Sequence, residues 1–251
     1  MRMLHYNNLK IYISTAIPAF LLCALSMIGC TPVLTPTQQT TPALSEQPTI
    51  PLSAEKVYKG PTTKKRVALT YDMEKFDPAT DKLLQILRLN NVQSTFFILG
   101  TFVLESPKEL QKIVQEGHEI GNHSWSHSLF TKISDKAVLD DITKLEQAVF
   151  DKTGVSTKPL LRAPYGESTE SQRKLFTTLG YREIYWTIDT NDWKDTMSAQ
   201  KLMQEVLKKV KPGSIILMHN IGDYTVESTA TLIPALQQQG YQIVPVSWLF
   251  E

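Results

Sequence analysis

Cysteine is absent beyond residue 30: Cys23 and Cys30 are the only two in a chain of 251 residues. The long segment after Cys30 has no disulfide and no thiol nucleophile, so its stability must come from its core. An excess of one charge is also missing. The 26 Lys and Arg against 25 Asp and Glu leave a formal net charge of +1. That excludes the basic footprint of a nucleic-acid binder, and no basic block points to an anionic partner. No glycine-rich phosphate turn succeeds the first strand-like segment, and no internal repeat is present.

Long apolar runs are confined to the start. Arg2 and Lys10 precede "IYISTAIPAFLLCALSMIGC", a basic n-region before an apolar h-region. The break at Gly29-Cys30 resembles a bacterial lipoprotein signal, with Cys30 as the lipidated residue, although Met27 stands where that pattern usually has Leu. A retained transmembrane anchor and a plain secretory signal are the alternatives. All three export the remainder of the chain and predict a location on the extracytoplasmic side, membrane-anchored in the preferred reading. Residues 31–64 are rich in Thr and Pro and show no helical or strand period. They read as a flexible tether leading into a folded domain over 65–251.

Within that domain, short apolar runs alternate with amphipathic ones. "RVALTY", "STFFIL", "HEIGNHS", "PLLRAPYG", "REIYWTID", "GSIILMH" and "YQIVPVS" read as seven strands, mostly separated by helices. Ser134 and Gly154 bracket the longest helix as caps, and Asp77 before Pro78 reads as the start of the first. Alternation of this kind predicts an α/β fold with a parallel sheet, either a closed or nearly closed barrel or an open doubly wound sheet.

Polar residues collect at the strand ends: Asp72 and Glu74 after the first, His123 and His127 after the third, Arg162 and Tyr165 after the fourth. The fifth gives Asp189, Asp192 and Trp193, and the sixth gives His219. In a parallel barrel these ends share one face, where active sites are built. His123 and His127 would project to one side if their segment were helical, and two neutral imidazoles suit zinc. Each residue alone has a plainer reading, as a cap, a turn or a core side chain. Those readings do not explain why His, Asp and Arg converge on one rim.

"TYDM", "HSWSH", "RAPYG", "DTNDW" and "LMH" occur in the order of the five motifs of the polysaccharide deacetylases, carbohydrate esterase family four, which the chain resembles over 65–251. The resemblance implies a distorted (β/α) barrel of about seven strands and metal-dependent removal of acetyl groups from a polysaccharide, such as peptidoglycan or another N-acetylglucosamine polymer. It implies Asp72 as general base, His123 and His127 as ligands of a divalent metal, commonly zinc, and Arg162 as the residue orienting a carboxylate. It implies that Tyr165 binds the oxyanion through its backbone N–H, that Asp192 rather than Asp189 tunes His219, and that His219 protonates the leaving amine. Trp193 and Leu217 would wall the acetyl pocket. A monomer is expected.

One position departs from the pattern. Met73 stands where the family has a second aspartate that ligates the metal, and a thioether is a poor substitute on zinc. Water, or Glu74 from the next position, would have to complete the site. A non-catalytic, glycan-binding envelope lipoprotein is the rival reading.

Overall fold

The computed structural model describes residues 50–75, 77–194 and 197–251. The expected signal segment, its Cys30 and most of the expected tether lie outside the described residues. The elements run β1 (Arg66–Met73), α1 (Thr80–Leu89), β2 (Thr95–Ile98), α2 (Gly100–Glu105), α3 (Pro107–Gln115), β3 (Glu119–Asn122), α4 (Asp135–Thr153) and β4 (Leu160–Leu161). They continue α5 (Glu170–Thr178), β5 (Arg182–Glu183), β6 (Ile188–Asp189), α6 (Ala199–Lys209), β7 (Ile215–His219), α7 (Asp223–Gln238) and β8 (Gln242–Ile243).

Every pairing between these strands is parallel, in the order β5-β4-β3-β2-β1-β7-β6, with β8 on the first residues of β1. Side chains alternate across β1. Val67, Leu69, Tyr71 and Met73 join the large apolar cluster that also takes Leu83 of α1, Leu202 of α6 and Leu232 of α7. Ala68 joins an inner cluster with Phe97, Leu160, Ile184 and Ile215. Both faces of the strand are buried, which is why its sequence is apolar throughout rather than alternating. The result is a distorted (β/α) barrel.

Seven expected strands become eight, because "REIYWTID" is two. β5 and β6 do not pair with each other and flank a break at Tyr185 and Trp186. The break is covered by residues expected to be tether. Val57 bridges Ile184, Lys59 bridges Ser214, and Thr187 Oγ1 donates to the Tyr58 carbonyl at 3.2 Å. Ile50 and Val57 are buried in the inner cluster. For residues 50–59 the expectation of a loose tether is therefore corrected. Two scattered apolar residues carry no period, so the packing left no sequence signal.

Helix ends obey local chemistry. Ser134 caps α4 by accepting from the Ala137 N–H, and Gly154 ends it in the left-handed region at φ 72°. Thr169 and Gln172 form a reciprocal capping box at the start of α5. Asp77 is not the cap of α1, which starts three residues later at Thr80. Its carboxylate instead accepts from the N–H groups of Ala79 and Gly222, tying the end of β1 to the start of α7. A six-residue helix, α2, also precedes α3 where none was expected. No helix among the described residues is long and apolar enough to cross a membrane.

Ile50→Ala separates packing from tethering. Loss of a buried isoleucine side chain should lower the free energy of unfolding by about 2–4 kcal/mol in urea titration; a loose tether would give no change.

Candidate active site

Strand register assembles the rim. Asp72 is the register partner of His219 across β1 and β7. Both side chains therefore leave the sheet on the same face. Asn122, the last residue of β3, pairs with Leu161, so His123 and Arg162 leave their strands side by side. Asp72, Glu74, His123, His127, Tyr165, Leu217 and His219 line one small cleft, together with Ala163, Gly166 and Trp186.

Arg162 organises its floor. The side chain is 1% exposed, and Nη1 donates to Asp72 Oδ1 at 2.6 Å. Nη2 donates to Thr70 Oγ1 at 3.0 Å, and the guanidinium lies 4.0 Å from the Phe97 ring centre. Burial alone would raise the Asp72 pKa. The charges of Arg162, His123 and His219 and the Arg162 hydrogen bond outweigh it, and the carboxyl stays below its ordinary value. Asp72 is thus an ionised acceptor at neutral pH.

His219 is poised in the opposite sense. Its Nδ1 lies 2.8 Å from Asp192 Oδ1, and its backbone N–H donates to Asp192 Oδ2 at 2.7 Å. Burial pulls the imidazole down, but the Asp192 hydrogen bond and the charges of Asp72 and Asp192 reverse this and push its pKa up to about 9. It is an imidazolium at neutral pH. Asp189, by contrast, accepts from the Asn191 N–H in a turn and is not among the residues lining the cleft.

The two remaining histidines are not presented by a helix. Their segment is a tight turn, with Ser124 at φ 76° and His127 at φ 57°. Such backbone costs about 1–3 kcal/mol per residue unless its surroundings hold it. Here Asn122 Oδ1 takes the Ser124 N–H, Ser124 Oγ takes the His127 N–H, and the Asp141 carboxylate of α4 takes the N–H groups of Trp125 and Ser126. Gly100 leaves the turn room, since a Cβ there would collide with Trp125. The imidazole centres end 5.0 Å apart.

This donor set suits a cation. His123 Nδ1 donates to the Arg162 carbonyl at 2.9 Å, so in the neutral ring Nε2 carries the lone pair. That Nε2 faces Asp72 Oδ2 at 3.5 Å. A bound cation, or a proton on Nε2, satisfies both groups. Burial, with His123 alongside, lowers the His127 pKa, which favours the ligating neutral form. Glu74 Oε1 is 3.9 Å from His127 Nε2. No three His, Cys, Asp or Glu side chains among the described residues are already gathered into a complete cage. His123 and His127 fit as a two-imidazole site, with Glu74 nearby and no protein ligand from Met73.

Met73 is fully buried in the helix-side core and is not among the residues lining the cleft. Trp193 is 59% exposed and likewise does not line it, so the expected indole wall is corrected. Leu217 does line it, and so does Trp186. Trp186 sat inside an apparently continuous strand, where nothing in the alternation marked it. Thr70, Asn122 and Asp141 support the site and carried no signal either. Nor did Asn220, whose Oδ1 accepts the Glu74 N–H at 3.0 Å. Tyr165 has a left-handed backbone at φ 59°, and its ring lies 4.8 Å from that of His127.

The family profile described as polysaccharide deacetylase matches residues 59–184. A Listeria monocytogenes protein, peptidoglycan-N-acetylglucosamine deacetylase PgdA, is 37% identical over 188 residues, which cover 75% of this chain and 39% of that protein. The chain thus spans about two-fifths of the length of this relative. A peptidoglycan-N-acetylglucosamine deacetylase of Bacillus cereus is 35% identical over 198 residues, covering 77% of this chain and 71% of its own. BA3943 of Bacillus anthracis, described as a CE4 family pseudoenzyme, matches with a TM-score of 0.75 and 30% identity over 80% of this chain and 70% of its own. A mutant of it has restored enzymatic activity. The chain belongs to the polysaccharide deacetylase family.

Met73→Asp should not simply install a ligand. In chelator-treated protein it places a carboxylate in an apolar core and should lower unfolding stability by about 3 kcal/mol or more. Met73→Leu should cost less than about 1.5 kcal/mol. Urea titration of both variants checks the pair.

Proposed function

We propose that this domain removes acetyl groups from an N-acetylated cell-envelope polysaccharide, peptidoglycan being the substrate most in keeping with its relatives. The observation that carries the reading is one cleft holding an ionised Asp72, fixed by Arg162, opposite an imidazolium His219, fixed by Asp192. Amide hydrolysis moves protons in opposite directions, toward a base as water attacks and from an acid as the amine leaves. Asp72 takes the first role and His219 the second. The Tyr165 backbone N–H is the donor for the developing oxyanion, a fixed group acting on charge present only in the transition state. Leu217 and Trp186 enclose the acetyl methyl.

His123 and His127 hold a divalent metal, zinc by their chemistry, with Glu74 or water completing the set. When bound, the metal supplies Lewis-acid polarisation and lowers the pKa of coordinated water. A lipid anchor at Cys30 would place the domain on the extracytoplasmic face of a membrane, beside its polymer.

A second reading has specific support. Met73 removes one family ligand, and a pseudoenzyme is among the proteins of the same fold. Under it, the cleft binds glycan without cleaving it.

Acetate release from N-acetylglucosamine oligomers and from peptidoglycan, with zinc supplied, tests the first reading. Asp72→Asn should reduce it by about 100-fold or more. No acetate from either substrate at full metal loading would overturn catalysis, and glycan binding unchanged by Asp72→Asn would favour the second reading.

His219 adds a pH signature. Its raised pKa means that the acid form is lost, and kcat/KM falls, as pH rises through about 9. Asp192→Asn should move that limb toward the ordinary histidine value, about 6.5. The same linkage contributes stability in full below about 6.5, and this is lost as pH rises to about 9.

A further inference from the structure

The segment from Ile50 to Tyr58 does more than cover the break between β5 and β6. Lys56 Nζ donates to the Gly166 carbonyl at 2.6 Å, one residue beyond Tyr165. The same ammonium is 3.7 Å from Oε1 of Glu183, a carboxylate buried beneath it. It also sits 5.0 Å from the centre of the Tyr185 ring. Tyr185 stacks on Trp186, with centroids 3.9 Å apart and planes 8° apart. The guanidinium of Arg162 in turn lies 5.6 Å from the Trp186 ring. A continuous column thus runs from the strap through the cleft wall to the residue that holds Asp72.

Gly166 is pressed onto this column, since a Cβ there would collide with both the Tyr185 and Trp186 rings. The strap is tied at a second point, where Arg173 Nε donates to the Ala54 carbonyl at 3.0 Å while its Nη1 donates to the Ser168 carbonyl at 2.9 Å. The turn carrying Tyr165 is therefore pinned by the aromatic rings and by Lys56. A left-handed tyrosine persists only where its surroundings over-determine it.

We propose that Lys56 is a positioning residue for the proposed deacetylation: through the Gly166 carbonyl it sets where the Tyr165 backbone N–H points in the cleft. This role rests on the function proposed above. It makes the N-terminal strap, which lies outside all five family motifs, a working part of the site.

Lys56→Met, Lys56→Arg and the double variant Lys56→Met/Glu183→Gln are the test, read by steady-state acetate release and by deuterium exchange of the amides of residues 165–167. Lys56→Met should lower kcat about tenfold while KM stays within about twofold, because an orientation is lost rather than a substrate contact. Lys56→Arg should recover most of kcat. The double variant removes the charge of the buried Glu183 and should stay slow, which assigns the effect to the Gly166 contact rather than to an unpaired carboxylate. Exchange of the Gly166 and Glu167 amides should be several-fold faster in both Met variants. Wild-type kcat in Lys56→Met, or full recovery in the double variant, would overturn the proposal. Absence of acetate release from the wild type would instead overturn the function, and unchanged exchange would then reject the positioning role independently.

Discussion

The site depends on one buried ion pair. Arg162 and Asp72 meet far from water at 2.6 Å. Such a pair adds little net stability over an apolar one, but losing either member strands a charge in the interior. What the pair supplies is geometry. The guanidinium binds Asp72 and Thr70 of β1 from the end of β4, over the face of Phe97 from β2. The main-chain carbonyl of the same arginine fixes the tautomer of His123. One residue thus orients a carboxylate by its side chain and an imidazole by its backbone.

Two aspartates of similar burial are driven to different work by their partners. Asp72 faces a permanent cation and is held as an acceptor. Asp192 faces an imidazole and holds it as a donor. Environments that separate the proton affinities of neighbouring groups are how one cleft performs acid and base chemistry at one pH. The side chain after Asp72, that of Met73, goes into the core and takes no part in this division.

Much of this was legible in residues 65–251. Apolar runs separated by amphipathic helices predict a parallel sheet, the resemblance to the family predicts its closure into a barrel, and polar residues at the run ends predict a rim. Asp72, His123, His127 and His219 line one cleft there, with Arg162 beneath them. What failed depended on contacts distant in sequence. "REIYWTID" reads as one strand because its composition suits a strand throughout, yet Tyr185 and Trp186 leave the sheet and stack on each other at the cleft wall. Trp193 reads as pocket lining, yet it lies out in solvent. Ile50 and Val57 read as tether because two buried residues make no period.

By itself, the sequence determined the order and type of most elements, the ionisable residues available to the rim, and the family to which they conform. Those properties are local, written in apolar spacing, caps and short motifs. Tertiary structure decided which of those residues act together. Register across β1 and β7 put Asp72 beside His219, and alternation along β1 turned Asp72 inward and Met73 outward. The break between β5 and β6, filled by the strap, brought Lys56 to the Tyr165 turn. Those decisions belong to pairings between segments more than a hundred residues apart, and no local pattern encodes them.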